Sequence, residues 1–81
     1  MPISDDDLDA SVTRLICEAA EVDAEDVSSD TRLMGDLDLD SLDIIELVMA
    51  VEDEFVIVIH DGDVDGLTTI EDVINYVREH A

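Results

Sequence analysis

Between Asp38 and Phe55 the chain reads DLDSLDIIELVMAVEDEF, and its apolar residues recur at spacings that fit two faces of one helix. At about 100° of rotation per residue, Ile44, Leu47, Val48, Val51 and Phe55 share a sector of roughly 100°, the width of a core-facing stripe. Leu42, Ile45 and Met49 fall in a second sector of roughly 60° on the opposite side. Asp43, Glu46, Glu52 and Asp53 lie beside or close to these three. The first stripe predicts burial. The second predicts an exposed apolar patch rimmed by acids, costly to leave in water unless a partner that is basic around an apolar centre docks there. Burial of the patch under a loop is the competing reading, and the neighbouring acids oppose it because they are expensive to bury unpaired. Taken alone, Glu46, Glu52 and Asp53 would also suit an ordinary solvated face.

The remaining pattern gives two more helices. Ser4-Asp5-Asp6-Asp7 reads as an N-cap followed by acids in the first turn, where the dipole favours them. Leu8, Val12, Leu15, Ile16 and Ala19 then mark one amphipathic face ending near Ala20 or Glu21, with Cys17 roughly opposite and partly exposed. From Val22 to Asp40 the periodicity breaks into a long connection, which needs anchors of its own. Val22, Val27, Leu33, Met34 and Leu37 are the candidates, and Asp40 is the simplest cap for the helix that follows. Val56-Ile57-Val58-Ile59 would read as a strand by itself, but with no partner strand it becomes an extended apolar connection packed on the helices. Gly62 and Gly66 bracket an acidic stretch that holds at most a short helical turn. Thr68 or Thr69, with Glu71 and Asp72 following, caps a last helix whose stripe is Ile70, Val73, Ile74 and Val77, with Tyr76 at the edge.

Eighty-one residues make a single domain over residues 1–81, near the lower size at which domains fold alone. Phe55 and Tyr76 are the only aromatics, so the core is aliphatic and soft. The formal charge of −21, with 24 acids against Arg14, Arg32 and Arg78 and no lysine, excludes nucleic-acid binding and steers basic partners inward. One cysteine allows no internal disulfide, and the opening Met1-Pro2-Ile3 lacks a charged-then-apolar signal, so a cytoplasmic monomer is expected. No apolar run is long enough for direct membrane insertion.

Ser41 stands at the start of the second helix, where free N–H groups and the dipole favour a phosphate ester. The D-S-L-D run followed by E-L-V-M-A-V-E-D-E-F resembles the modification site and second helix of acyl carrier proteins. The resemblance covers the whole chain, through the T-T-I-E-D-V-I-N-Y-V final helix. It implies an all-α fold: a small bundle of three main helices plus a short third-position helix, with a long loop between helices 1 and 2. It implies a 4′-phosphopantetheine arm on Ser41, attached from coenzyme A by a phosphopantetheinyl transferase. It also implies acyl intermediates carried as thioesters, no catalysis by the chain itself, and docking of acyl-loading and acyl-processing enzymes with basic patches. Asp40, Leu42, Asp43, Ile45, Glu46, Met49, Glu52 and Asp53 form the matching docking set. Three positions depart from the family pattern. Asp38 replaces a usual glycine and makes positive φ costly there, Val56 stands where a small or polar residue is common, and Ile59-His60 replaces Ile-Pro. These departures leave the pathway open between fatty-acid synthesis and a specialised lipid or polyketide-type route.

Other readings compete. Ser41 suits a capping role, whereas a catalytic serine would need a base, and only His60 and His80 exist. Carriers of aminoacyl or peptidyl groups share the serine helix, although the acidic second helix favours the acyl type. A non-carrier acidic module binding Ca²⁺ or Mg²⁺ would suit the charge. Asp61-Gly62-Asp63-Val64-Asp65-Gly66, with Asp72 after five more residues, fits an EF-hand ligand pattern except for its final Asp, but the caps at Thr68 and Thr69 would start a helix inside that loop. Cys17 lacks the second cysteine or nearby base that a redox or catalytic role requires.

The charge generates a test. Self-repulsion weakens the fold at low ionic strength, so monovalent salt should raise the melting temperature by screening. Calcium or magnesium at millimolar levels should do so more efficiently, through weak binding at clustered carboxylates. Calorimetric titration of Asp63→Asn with calcium discriminates the two modes: diffuse binding leaves the gain nearly intact, whereas a chelating loop loses most of it.

Overall fold

A computed structural model describes residues 5–80. Its elements are α1 (Asp5–Ala20), a 3₁₀ turn (Ala24–Asp26), α2 (Ser41–Phe55), α3 (Asp61–Val64) and α4 (Ile70–His80), the all-α arrangement of three main helices expected from the pattern. The Ser4 cap falls outside the described residues. α1 packs against both α2 and α4, and the three helices bury the faces that their periodicity marks. Leu8, Val12 and Ile16 come from α1, Ile44, Leu47, Val51 and Phe55 from α2, and Ile70, Val73, Ile74 and Val77 from α4. Leu15 and Val48 pack at the margin of this core. Arg78 joins α4 to α1 through a 3.1 Å ion pair with Asp9, half exposed and therefore worth little.

Two residues of α1 depart from expectation. Ala19 is exposed, while Cys17 is buried, with 5% of its surface accessible. The chain turns back at the end of α1, where Glu21 takes φ 59° and the Val22 N–H bonds the Cys17 carbonyl at 3.0 Å. The 3₁₀ turn then packs along α1. Burial raises the Cys17 thiol pKa, and the negative charges of Asp23 and Asp26 push it the same way, so the thiolate needed for redox or nucleophilic chemistry is disfavoured.

The long loop is anchored mainly by Leu33, which is 1% exposed. Its backbone is tied to the start of α4: Leu33 N–H donates to the Thr68 carbonyl at 2.9 Å, Ile70 N–H to Thr31 at 3.1 Å, and Glu71 N–H to Ser29 at 3.0 Å. Val27 and Leu37 pack on the core from the loop, and Val22 is half-buried. Met34, an expected anchor, is instead 56% exposed, and Leu39 fills the core in its place. A turn explains the exchange: Asp36 N–H and Leu37 N–H both donate to the Arg32 carbonyl, at 3.0 and 3.1 Å, carrying Met34 outward between two inward leucines.

Side chains from the connections fill the space between α2 and α4. Leu33, Ile59 and Leu67 meet Ile44, Leu47, Val48, Val51 and Val73 around an apolar void of about 10 Å³, at or below what one water requires. The 56–59 connection packs only every second residue. Ile59 is buried and Ile57 half-buried, whereas Val56 and Val58 are 89% and 65% exposed. The Glu52 carboxylate accepts the Ile59 N–H at 2.8 Å and holds this alternation in register. Thr69 caps α4, accepting Asp72 N–H at 3.2 Å while Asp72 Oδ2 accepts the N–H groups of Thr68 and Thr69 at 3.1 and 3.0 Å. Tyr76 leans from α4 onto α3, its hydroxyl donating to Asp63 Oδ2 at 3.0 Å. Desolvation, then the bond to Asp63, raises the phenol pKa. His80, at the end of α4, stacks on the Tyr76 ring at 4.0 Å.

Asp38 adopts φ 57°. The glycine-like turn into α2 is therefore kept without glycine, at a cost of about 1 kcal/mol for an L-residue. At the other departure His60 has φ −73°, which is the backbone a proline would impose. Asp38→Gly should raise the melting temperature by roughly 2–8 °C, and Asp38→Ala, which removes the charge but not the strain, should not. Equal gains from the two variants would mean that charge relief, not backbone strain, governs this position.

Candidate functional site

Asp40 sits at the N-cap of α2 in extended backbone (φ −92°, ψ −177°). Its Oδ1 accepts Asp43 N–H at 2.9 Å, and Asp43 Oδ2 accepts Asp40 N–H at 3.2 Å, a reciprocal box that satisfies two otherwise orphaned donors. With Asp40 as cap, Ser41 becomes the first helical residue and is not needed for capping. It is exposed, and among the described residues none hydrogen-bonds its hydroxyl. The hydroxyl is free to be esterified.

Ser41 opens onto a cleft of about 520 Å³ between the long loop, α2 and α3, walled by Met34, Gly35, Ile45, Val64 and Leu67 with Arg32 at its edge. Arg32 is held by Asp36, whose Oδ2 accepts the Arg32 N–H at 2.8 Å and lies 3.8 Å from its Nε. Neither histidine nor Cys17 lines this cleft; Arg32 and Asp65 are its charged lining residues. Ile44 and Leu67 line both this cleft and the apolar void behind it. Those two side chains are the partition between an open site and the core.

The phosphopantetheine attachment site family model matches residues 10–77. Acyl carrier proteins from Campylobacter jejuni subsp. doylei and from another Campylobacter jejuni strain are 41% and 42% identical to it over 66 residues, which is 82% of this chain and 86% of theirs. The chain belongs to the acyl carrier protein family. Carriers of this family are non-catalytic, and the phosphopantetheine-attachment domain occupies most of the chain.

The docking set separates into two groups in this carrier. Leu42, Ile45 and Met49 are exposed by 63%, 54% and 59%, and Glu46 and Asp53 are exposed beside them. Asp40, Asp43 and Glu52 have carboxylates engaged with backbone N–H groups, so they hold the helix and its exit as well as contributing charge. The cation loop does not assemble. Asp61–Val64 is helical, Asp63 is taken by Tyr76 and Asp72 by the α4 cap. Among the described residues no group of three or more ligating side chains could hold a metal ion. No helix among them is long and apolar enough to cross a membrane. The cleft walls Met34, Val64 and Leu67 were not legible as site residues. Only the unusual exposure of Met34 marks them, and the sequence pattern places that residue in the core.

Ile45 and Val51 lie on opposite sides of α2, Val51 being 1% exposed. Ile45→Asp should leave the helical signal and melting temperature nearly unchanged, while Val51→Asp should unfold the domain by placing a charge in the core at several kcal/mol. Circular dichroism melts of the two variants make the comparison, and equal destabilisation would contradict the two-faced helix.

Proposed function

We propose that Ser41 carries a 4′-phosphopantetheine arm and that the protein holds acyl intermediates on it as thioesters. The observation that supports this most directly is the Ser41 hydroxyl itself: first in its helix, uncapped, solvent-facing and beside a cleft with apolar walls. In the transfer, Ser41 Oγ forms a bond to the pantetheine-bearing phosphorus of coenzyme A. The phosphoanhydride bond breaks, the adenosine bisphosphate leaves, and the serine proton passes to a base of the phosphopantetheinyl transferase. Once attached, the arm supplies a terminal thiol that forms the thioester.

The residues around Ser41 fit that product. A helix N-terminus stabilises an adjacent phosphate by about 0.3–1 kcal/mol, but Asp38, Asp40 and Asp43 oppose it. The local field therefore favours the basic enzyme that approaches more than the phosphate that stays. Docking of loading and processing enzymes falls to Leu42, Ile45 and Met49 with Glu46 and Asp53, an apolar centre in an acidic rim that matches a basic rim on the partner. The relatives are named acyl carrier proteins, and the aliphatic void behind Ile44 and Leu67 suits acyl cargo better than a charged aminoacyl group. At about 10 Å³ the void holds no chain as it stands. Displacing Ile44 and Leu67 would open it, and burial of the chain, at about 0.8 kcal/mol per methylene, would drive that opening.

Incubation with coenzyme A, magnesium and a broad-specificity transferase should add one phosphopantetheine to the wild type and none to Ser41→Ala, read by intact mass. An unmodified wild type, under conditions that load a control carrier, would remove the proposal. The cargo found on protein purified from its native cell would then separate fatty-acid from specialised pathways and acyl from aminoacyl carriers.

A further inference from the structure

In a chain with 24 acids and three arginines, Arg32 is the one cation among the described residues that line the cleft beside Ser41. Its guanidinium lies across Gly35. A Cβ added at Gly35 would stand 3.3 Å from Arg32 Nε and 3.5 Å from Cζ, the first of these tighter than an ordinary contact. Gly35 has no positive φ, so the backbone does not call for glycine there; the missing side chain leaves room for the guanidinium. Asp36 touches that group at a single point. Its Oδ2 already accepts the Arg32 N–H at 2.8 Å and lies 3.8 Å from Nε, beyond hydrogen-bond length. Among the described residues none accepts a hydrogen bond from the Arg32 side chain, which is 64% exposed.

The other charges around the cleft have the opposite sign. Asp65 is exposed in the lining beyond α3, and Asp38, Asp40 and Asp43 flank Ser41 in sequence. An anion fixed to Ser41 is repelled by these four and attracted from the loop wall, where Arg32 stands. The phosphodiester is the anionic group of the arm. We propose that Arg32 is the positioning residue for the arm, its guanidinium pairing with the phosphodiester on Ser41 and keeping the arm at the cleft. This rests on the carrier reading of Ser41. A guanidinium presents parallel N–H donors that match two phosphate oxygens, a fit that the point charge of a lysine does not reproduce. The phosphodiester takes the donors that Asp36 leaves unused, so the turn at residues 32–37 need not be undone. Both partners stay in water, which makes the pair weak. Its role is to bias the arm between cleft and solvent, with the thiol end held near Ile44 and Leu67.

The test compares the full chain with and without the arm in wild type, Arg32→Gln, Arg32→Lys and Asp36→Asn, with intact mass reporting uptake. Attachment should shift the Arg32 Nε–Hε NMR signal in the wild type. A nitroxide on the arm thiol should broaden the methyls of Ile45, Val64 and Leu67. The population of arm at the cleft, read from that broadening, should fall roughly two- to fivefold in Arg32→Gln. Arg32→Lys should recover part of it. Asp36→Asn keeps an acceptor for the Arg32 N–H but removes the competing charge, and should exceed the wild type. At about 1 M salt, where the screening length drops to about 3 Å, the wild type and Arg32→Gln should converge. Melting temperatures of the arm-free forms should stay close together, because an exposed pair contributes little to folding. An Arg32 signal unmoved by the arm, or equal broadening in wild type and Arg32→Gln at low salt, overturns the proposal and leaves the carrier reading standing. A wild type that accepts no arm removes both.

Discussion

The pairing of the long loop with the start of α4 is the contact on which the rest of the structure depends. α1 packs on α2 and on α4, but α2 and α4 are kept apart by Leu33, Ile59 and Leu67, side chains delivered by connections. Leu33 can fill that gap only because its own N–H is met by Thr68, and because Ile70 reaches back to Thr31. Without those backbone partners, burying the loop would strand donors and acceptors in an apolar space at a cost of about 1–3 kcal/mol each. The same pairing fixes where Leu39 enters the core, where Asp40 begins the cap, and so where Ser41 meets the cleft. A site that looks local in sequence is held by residues roughly thirty positions downstream.

Five carboxylates of this acidic chain offset part of its self-repulsion by accepting backbone hydrogen bonds. Asp36 accepts from Arg32, Asp40 and Asp43 from each other's N–H, Glu52 from Ile59, and Asp72 from Thr68 and Thr69. Charge-assisted bonds of this kind are roughly twice as strong as neutral ones, and at helix N-termini the dipole adds to them. The acids left over, such as Glu46 and Asp53, have no such task and remain available to partners. Solvated repulsion and local capping act on the same residue type, and their division along α2 separates the solvated acids from those that hold the scaffold.

What could be read from the sequence follows this division. Helical periodicity depends on neighbours three and four residues away, so the stripes of α1, α2 and α4, the cap at Asp40 and the exposed trio Leu42, Ile45 and Met49 were all visible. Met34 and Leu39 exchanged places because a turn at residues 32–37 has no periodicity to betray it. Cys17 was misplaced because the chain folds back over its face of α1, a tertiary event that a helical projection omits. The EF-hand-like spacing failed for a related reason: Asp63 and Asp72 serve Tyr76 and the α4 cap, and ligand spacing carries no information about such competing partners.

Strain follows the same geography. Glu21, Asp38 and Val56 all take positive φ without being glycine, and each lies at a junction: the end of α1, the approach to Ser41 and the end of α2. Glu21 and Asp38 are polar and exposed, so each incurs only the backbone cost. Val56 adds a second cost by holding an apolar side chain in water, and Val58 repeats that exposure two residues on. A fold of this size has only about 5–15 kcal/mol of net stability, and two unfavourable choices at one residue are a measurable fraction of it. The left-handed turn is offset by what it closes: the Ile57 N–H reaches back to the Glu52 carbonyl at 3.2 Å, ending α2 with its last carbonyls partnered, and Ile59 is brought into the core.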